Sequence, residues 1–349
     1  ESHGNSVQYM AAVHKSVGNL AVVKSITKNK QFDQEGVQRE LGLLQKLSHP
    51  HIVSLKDSFD ERNAFHFVLH LQQWVDLATL IRQAKRMSET DSAFITCQLA
   101  SATHYMHAHG VCHRGLSPNS VVVLSDNERS PNYLMVVVAD FGTSMPGSSG
   151  YMDTLTSSCP TNAYSAPELI AVSCLDAQLQ YSCKVDIWSL GMILYTMLCG
   201  TNPFFQYSSD LLQEKILGGE ITYLEGCFQK IWKAVSPECL SFTKKLLTLK
   251  ARQRPTAEMC KREEWLKVAR KRDRTCLLKL SKPASSASSP GSVRASALSS
   301  AATLNNQNPG SSPAVRSGKS SQGSASSSGS SVEVGWRAHS ALGATAGQW

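Results

Sequence analysis

Two kinds of hydrophobic spacing follow one another along the first part of the chain. Up to about residue 80, short segments such as "NLAVVKSI" and "AFHFVLHL" alternate apolar and polar positions, a period of two that predicts β-strands. Between them, "GVQRELGLLQKL" repeats its apolar residues at helical spacing. Farther along, helical patterns dominate, as in "DSAFITCQLASATHYMHAHG" and "ECLSFTKKLLTL". The spacing predicts an α+β fold with two lobes: a small, mostly β lobe with one helix over about 1–71, and a larger, mostly helical lobe over about 77–266.

The sequence changes character after the second lobe. Residues 267–280 form a basic connector, and from 281 to 349 the chain is mainly Ser, Ala and Gly. Such a composition cannot bury enough apolar surface to offset the entropy of ordering, so we expect 281–349 to be a disordered tail. Residues 267–349 carry eleven Lys and Arg against two Asp and Glu, whereas the preceding part is nearly neutral. The positive charge is densest over 261–282, which could contact a polyanion, although a solvated helix end is the simpler interpretation.

Cysteine content and hydropathy exclude several classes of protein. The ten cysteines include no C-x-x-C pair and no close clustering with histidine, which argues against a zinc site or a disulfide framework and suits a reducing compartment. No charged and then apolar leader opens the chain. The longest apolar stretch, "VDIWSLGMILYTMLC", is too short to cross a bilayer. We therefore expect an intracellular protein of the cytoplasm, the nucleus or both, without a membrane span.

Three residues in short motifs carry candidate chemistry. Lys24 ends the predicted strand "NLAVVK", and Glu40 lies on the helix that follows it. Asp140 comes directly after the apolar run "VVVA" and begins a D-F-G triplet, where an acidic residue is well placed to hold Mg²⁺ against nucleotide phosphates. Each motif is weak alone, because most strand lysines are solvated and D-F-G is a short string. The triplet gains weight because it lies 27 residues after His113 and 28 before Glu168.

Further motifs in a fixed order narrow the interpretation. They are "VCHRGLSPNS", "YSAPEL", "KVDIWSLGMILYTMLCGTNPF" and "ARQRPTAEM". With them, residues 1–266 resemble a eukaryotic protein kinase catalytic domain, most closely the Ser/Thr kinases of the calmodulin-dependent group and especially its checkpoint-type members. The resemblance implies the two-lobed kinase fold and a set of architectural residues that are all present in this chain. These are His113 and Arg114, which shape the catalytic loop, Asp186, which braces its backbone, and the ion pair of Glu168 with Arg254.

The catalytic loop departs from the family pattern H-R-D-L-K-P-x-N at three positions. Gly115 stands where the resemblance implies the catalytic Asp, Ser117 where it implies a Lys, and Ser120 where it implies an Asn that holds Mg²⁺. Glycine cannot accept the substrate proton, and losing a positioned base costs about 10²–10⁴ in rate. A serine hydroxyl is a weaker metal ligand than an amide carbonyl, so Ser120 is expected to bind Mg²⁺ weakly at best. Phosphoryl transfer depends on positioning and charge stabilisation, so the three losses together predict impaired catalysis.

The same resemblance implies a nucleotide cleft that is only partly equipped for ATP. Lys24, held by Glu40, would grip the phosphates, and Asp140 would hold Mg²⁺. The hinge side would be lined by Leu69, Leu71, Gln72 and Asp76, the last facing the ribose. These residues predict weak or residual ATP binding and leave the use of Mg²⁺ open.

Two features oppose nucleotide binding. In the phosphate-covering pattern G-x-G-x-x-G-x-V, Gly4 remains, but Ser2 and Val7 stand at the other two glycine positions, where a side chain keeps the backbone from the phosphates. Trp74 in the hinge either crowds the mouth of the cleft or points outward. The chain also starts where the first strand should already be under way, so that strand is expected to be truncated or missing.

Three functions are compatible with this sequence. The leading hypothesis is a pseudokinase with a regulatory or scaffolding role, since the motifs that hold the fold persist while the catalytic ones are gone. The alternative is an active Ser/Thr protein kinase that uses an unconventional catalytic loop and retains Lys24, Glu40 and Asp140. The third places the function in the basic tail, as a contact for nucleic acid or an anionic membrane surface. The sequence names neither a protein partner nor a substrate.

Overall fold

The structure, a computed structural model, describes the small lobe, the large lobe and one short segment of the tail. The described residues are 7–281, except 17, 31, 147–154, 175–178, 220, 222 and 224–225, together with 336–341. Residues 1–6, which include Ser2 and Gly4 of the predicted phosphate-covering loop, lie outside them, so the prediction of a missing first strand is not tested.

The small lobe is an antiparallel sheet with one helix packed against it. Its elements are β1 (Val7–His14), β2 (Leu20–Thr27), α1 (Gln34–Lys46), β3 (Leu55–Asp60) and β4 (Ala64–Leu69). Strand β2 lies between β1 and β4 and is buried along most of its length. Helix α1 begins where the Asp33 carboxylate accepts a hydrogen bond from the backbone N–H of Gly36 (2.8 Å). Val37, Glu40 and Leu44 share the buried face of α1, which places one carboxylate among apolar neighbours.

Six residues of the predicted disordered tail form a strand instead. Strand β9 (Trp336–Ala341) pairs antiparallel with β1 and completes the order β3–β4–β2–β1–β9. An edge strand presents unpaired N–H and C=O groups to any segment that can extend beside it, and composition does not reveal that possibility. The predicted disorder is therefore wrong for 336–341. The rest of the tail, 282–335 and 342–349, lies outside the described residues.

The large lobe is mostly helical, with short strands near the lobe boundary, so the predicted α+β plan is confirmed. Its helices are α2 (Leu77–Ala84), α3 (Glu89–Ala108), α4 (Pro167–Cys174), α5 (Lys184–Cys199), α6 (Ser209–Gly218), α7 (Gln229–Ala234), α8 (Pro237–Leu246), α9 (Ala257–Arg262) and α10 (Lys267–Leu280). Its strands are β5 (Val111–Cys112), β6 (Val121–Val123), β7 (Val136–Val138) and β8 (Met145–Pro146), paired as β5 with β8 and β6 with β7.

Helix α5 is the centre of the large lobe. Residues 185–199 are all buried, which explains why its sequence is apolar on every side. Gly191 lies where α5 meets the end of α8, and a Cβ there would come within 2.8 Å of Leu246 and Leu247 side-chain atoms. A larger residue at this position would therefore push the two segments apart. No described helix is both long and apolar enough to cross a membrane.

The stretch predicted as a basic connector, 267–280, is helix α10, which packs on the large lobe. The imidazole of His51 is fully buried, with Nε2 3.1 Å from Asp273 Oδ1 on α10. The guanidinium of Arg272 lies 3.8 Å from the centroid of the Phe94 ring on α3. We expected a basic connector that contains a solvated helix end, because the apolar content of this stretch is low. Packing through Arg stems and one buried Asp accounts for the difference.

Candidate functional site

The boundary between the lobes contains a cluster of one lysine and two carboxylates, in which the lysine and one carboxylate are buried. Lys24 on β2 donates to Glu40 on α1 (Oε1 at 2.7 Å, Oε2 at 3.0 Å) and to Asp140 Oδ1 (2.8 Å). The side chains of Lys24 and Glu40 are 4% and 3% exposed, whereas that of Asp140 is 52% exposed. Sequence reasoning chose these three residues from three distant motifs, and the structure brings them together.

The charges in this cluster shift the pKa values of its members. Burial alone would lower the pKa of the Lys24 ammonium, but the carboxylates of Asp140 and Glu40 outweigh it and raise that pKa. The Lys24 charge and its hydrogen bond lower the pKa of Asp140. Asp140 has a left-handed backbone, with φ 61°, which is unusual for a residue with a side chain. The backbone thus holds an ionised carboxylate beside an ionised lysine.

The catalytic loop is braced from below by Asp186 of α5. Its carboxylate accepts hydrogen bonds from the backbone N–H groups of His113 (2.9 Å) and Arg114 (2.8 Å), and it lies 2.9 Å from His107 Nε2. Burial favours the neutral acid, but the hydrogen bonds from His107 and His113 keep the pKa of Asp186 below its usual range. The loop is therefore held in one conformation by an ionised group that does not face the cleft.

The space beside Gly115 is filled by another residue. A Cβ placed on Gly115 would lie closer than 3.0 Å to Thr143 Oγ1, nearer than real Cβ contacts come. Thr143 directly follows the D-F-G triplet, and its hydroxyl donates to the backbone oxygen of His113 (3.1 Å). A carboxylate at position 115 therefore cannot be added without moving Thr143. The sequence analysis did not identify Thr143, because nothing in the sequence shows that Gly115 and Thr143 lie next to each other in the fold.

The two serines of the loop bond to each other. Ser120 Oγ donates to the backbone oxygen of Ser117 (3.0 Å) and accepts from the Ser117 N–H (2.9 Å). Both residues are almost fully buried, at 6% for Ser117 and 4% for Ser120. The hydroxyl expected to be a weak metal ligand is thus occupied within its own loop. Among the described residues, no group of three or more His, Cys, Asp and Glu side chains could hold a metal ion.

Arg114 ties the loop to the segment that follows D-F-G. The buried guanidinium donates to the Thr143 backbone oxygen (2.6 Å), to Ser157 Oγ (2.8 Å) and to Tyr181 Oη (2.9 Å). All three acceptors are neutral. Its backbone has φ 64°, a second left-handed position in the site. Arg114 therefore fixes the position of the loop through hydrogen bonds.

The pair expected from the resemblance at the base of the large lobe is present as a bidentate contact. Arg254 Nη1 and Nη2 lie 2.6 Å and 2.8 Å from the two oxygens of Glu168. The Arg254 side chain is fully buried and also donates to three backbone oxygens. This contact joins α4 to the segment before α9, away from the lysine cluster.

The hinge residues separate into two groups. Leu69 and Leu71 are buried, at 3% and 2%, whereas Gln72 is exposed. Asp76, expected to meet a ribose, is the N-cap of α2, where Oδ1 accepts from the Thr79 N–H (2.6 Å). One of its two oxygens is therefore already engaged by the helix.

Trp74 of the hinge lies over a residue that sequence reasoning did not consider. Its ring stacks on Tyr9 of β1, with centroids 3.9 Å apart and planes 25° from parallel. Both side chains are partly buried against the main core. The sequence did indicate that Tyr9 belongs to the nucleotide cleft, because the pattern G-x-G-x-x-G-x-V that starts at Ser2 places Tyr9 at the valine position.

Comparison with known proteins places these features in a family. The family model described as "Protein kinase domain" matches residues 3–266. A probable myosin light chain kinase of Dictyostelium discoideum is 32% identical over 255 residues, which cover 72% of this chain and 61% of the relative. The calcium/calmodulin-dependent protein kinase cmkA of Emericella nidulans is 33% identical over 262 residues, or 75% and 60%. The calcium/calmodulin-dependent protein kinase type 1 of Macrobrachium nipponense is 29% identical over 258 residues, or 74% and 70%.

The matched part of this chain spans about three fifths of the length of the first two of these relatives. Their names agree with the resemblance to the calmodulin-dependent group that the motifs indicate.

Proposed function

Because the chain belongs to the protein kinase family, we propose that it is a kinase-like domain with impaired catalysis, a pseudokinase whose role is regulatory or scaffolding. Protein kinase domains use ATP and Mg²⁺ to phosphorylate protein side chains. The observation that carries the proposal is the remodelled catalytic loop. Gly115 offers no acceptor for the substrate proton, and Thr143 Oγ1 lies where the Cβ of any larger residue would stand.

The electrostatic part of the reaction is weakened at the same loop. The family uses a lysine at position 117 and an amide at position 120 to neutralise and hold the phosphates and metal. Here Ser117 and Ser120 are buried and bonded to each other. Since phosphoryl transfer is accelerated almost wholly by positioning and charge stabilisation, the remaining groups cannot supply the missing interactions.

We expect weak ATP binding to remain. Lys24 would contact the phosphates, and the half-exposed Asp140 carboxylate would contribute to holding Mg²⁺. Both already bond to each other, so a ligand must compete with an existing ion pair. ATP, if bound, would supply the phosphoryl group, and the chain's own contribution would be orientation of its phosphates.

The second candidate is an active Ser/Thr kinase that uses an unconventional loop. The observation in its favour is the intact cluster of Lys24 with Glu40 and Asp140, at the hydrogen-bonding distances that nucleotide positioning requires. Gly115 itself has no side chain to accept the proton, so turnover would depend on another acceptor, such as the substrate or water.

The test is a turnover assay with the full chain, labelled ATP, Mg²⁺ or Mn²⁺, and generic basic and acidic protein substrates. We expect no turnover above that of a Lys24→Ala control. Turnover near the usual ~1–100 s⁻¹ of kinases would overturn the pseudokinase proposal.

Restoring the family residues of the catalytic loop tests whether these positions cause the proposed loss of catalysis. Gly115→Asp, Ser117→Lys and Ser120→Asn together should give little activity, because the Cβ of the new Asp would lie against Thr143 Oγ1. Adding Thr143→Ala should raise the rate over that triple variant by about 10²-fold or more, the usual value of a positioned base. The matched control is Thr143→Ala alone, which should stay inactive. Equal rates with and without Thr143→Ala would contradict the role assigned to this contact.

A further inference from the structure

Tyr9 and Trp74 together close the hinge end of the nucleotide cleft. Tyr9 lies directly opposite Lys24 in the antiparallel pairing of β1 with β2. Residues directly opposite each other in such a pair project from the same face of the sheet, so Tyr9 points toward the cleft beside Lys24. Burial, and next the nearby carboxylate of Asp140, raises the pKa of the Tyr9 phenol, in keeping with this enclosed position.

Trp74 approaches Tyr9 from the other side. It lies in the hinge between β4 and α2, three residues after the buried Leu71. The stack with Tyr9, at 3.9 Å between ring centroids, leaves no room for a third ring between them. The two rings thus bridge the distance from the hinge to β1, the strand that pairs with the one carrying Lys24.

The two ends of the cleft differ. At the Asp140 end the carboxylate is 52% exposed, so the phosphate and metal region is open to solvent. At the hinge end the space between β1 and the hinge is taken by the stacked rings. A ligand with a planar base has to displace the stack, whereas a ligand that only contacts Lys24 and Asp140 does not.

We propose that the Tyr9–Trp74 stack is an internal plug that sets the affinity of this chain for purine nucleotides. The plug adds to the loss of catalysis proposed above and is independent of it, because it concerns the base end of the cleft and not the catalytic loop. Valine, the residue of the family pattern at position 9, is too small to reach a ring in the hinge. The plug therefore requires both aromatic residues.

The test measures the dissociation constant of ATP by calorimetry on the full chain, with and without Mg²⁺. An aromatic stack has to be broken for the base to enter, so Tyr9→Val and Trp74→Gly should each tighten ATP binding by up to about tenfold. The conservative variants Tyr9→Phe and Trp74→Phe retain the stack and should bind like the wild type. Tyr207→Val removes a tyrosine that contacts Lys215 on the large lobe and should change nothing.

Opposite results would overturn the plug. Unchanged affinity in both Tyr9→Val and Trp74→Gly would show that the stack does not limit binding. Weaker affinity would show that the rings clamp the base instead of blocking it. Adding Lys24→Ala to Trp74→Gly should abolish the gain, and a gain that survives would mean that ATP binds elsewhere.

A second readout does not depend on whether the variants Tyr9→Val and Trp74→Gly fold well. The fluorescence contributed by Trp74, obtained as the difference between the wild type and Trp74→Phe, should change when saturating ATP opens the stack. A constant Trp74 signal at saturation would overturn the proposal. Turnover is not used in either experiment, so the plug can fail while the pseudokinase proposal stands, and the reverse.

Discussion

Among single residues, Lys24 has the most demanding surroundings. It is almost completely buried and bonds to two carboxylates at once. Removing one partner of a buried ion pair leaves the other charge desolvated, which costs far more than losing a surface pair. The chain also offers a more exposed pair nearby, where Lys28, directly after β2, contacts Asp60 at the end of β3.

The two lysines therefore give a matched prediction. Lys24→Met should lower the free energy of unfolding by about 3 kcal/mol, because Glu40 remains buried without a counter-charge. Lys28→Met should change it by less than about 1 kcal/mol, since the Asp60 carboxylate is largely exposed. Urea denaturation of both variants beside the wild type measures the difference. Similar losses in the two variants would mean that the cluster contributes no more than a surface contact.

At the scale of secondary-structure elements, the basic residues of α10 divide into those that hold the helix in place and those that are exposed to solvent. Arg270 donates to the backbone oxygens of Lys261 and Glu263, and Arg272 lies on the Phe94 ring. These side chains hold α10 in place. Three other basic residues of α10 are exposed and make no such packing contact among those described: Lys271, Arg274 and Lys279.

A cavity of about 470 Å³ beside this helix has a mainly basic lining. It is formed by His104, Glu258, Lys261, Arg262 and Arg270. Its charge favours the polyanion contact that the sequence allows over 261–282.

Replacing the three exposed cations tests that contact. The variant Lys271→Gln, Arg274→Gln, Lys279→Gln should elute from heparin at lower salt than the wild type, with an unchanged melting temperature. Arg272→Gln is the control and should lower the melting temperature, because it removes the contact with Phe94. Unaltered elution of the triple variant would place any polyanion contact away from α10.

At the scale of the whole molecule, the folded unit extends beyond the last residue of the family match. The family model ends at residue 266, but α10 continues to Leu280 and contributes Asp273 to the buried His51. The apolar side of this packing includes Ala269, which is 6% exposed. The folded part of the chain therefore includes 267–280, the stretch expected to be a basic connector.

Two truncations separate the helix from the tail. Ending the chain after residue 266 should lower the melting temperature by several degrees, because His51 loses its partner inside the protein, at a cost of about 1–3 kcal/mol. Ending it after residue 285 retains α10 and removes β9, so the loss should be smaller and limited to pairing at the sheet edge. Differential scanning calorimetry of the two chains measures both. A larger loss from the second truncation alone would be inconsistent with this assignment, since the first removes everything that the second does.

The fold could be predicted from the sequence more fully than the site. Alternating and helical spacings gave the two lobes, because each lobe buries one face of its elements. Lys24, Glu40 and Asp140 could be chosen in advance because they lie on a strand, on the helix after it and just after a later strand, at characteristic separations. Thr143 and Tyr9 could not, because their importance comes from what lies opposite them in space. The contacts of α10 were not predicted either, because its arginines pack through their side chains as well as carrying charge.

The bracing of the catalytic loop has a consequence for recognition by other proteins. Asp186 holds the backbone of His113 and Arg114, and the serine pair closes the turn after them, so the loop keeps its shape before any partner arrives. Most of the loop is buried, and within 111–120 only Asn119 is exposed and Gly115 half-buried. A flexible loop would lose conformational freedom on binding, and that loss would be subtracted from the affinity. A protein that contacts Asn119 and Gly115 meets a backbone that is already rigid, so little of the binding free energy is lost to ordering this loop.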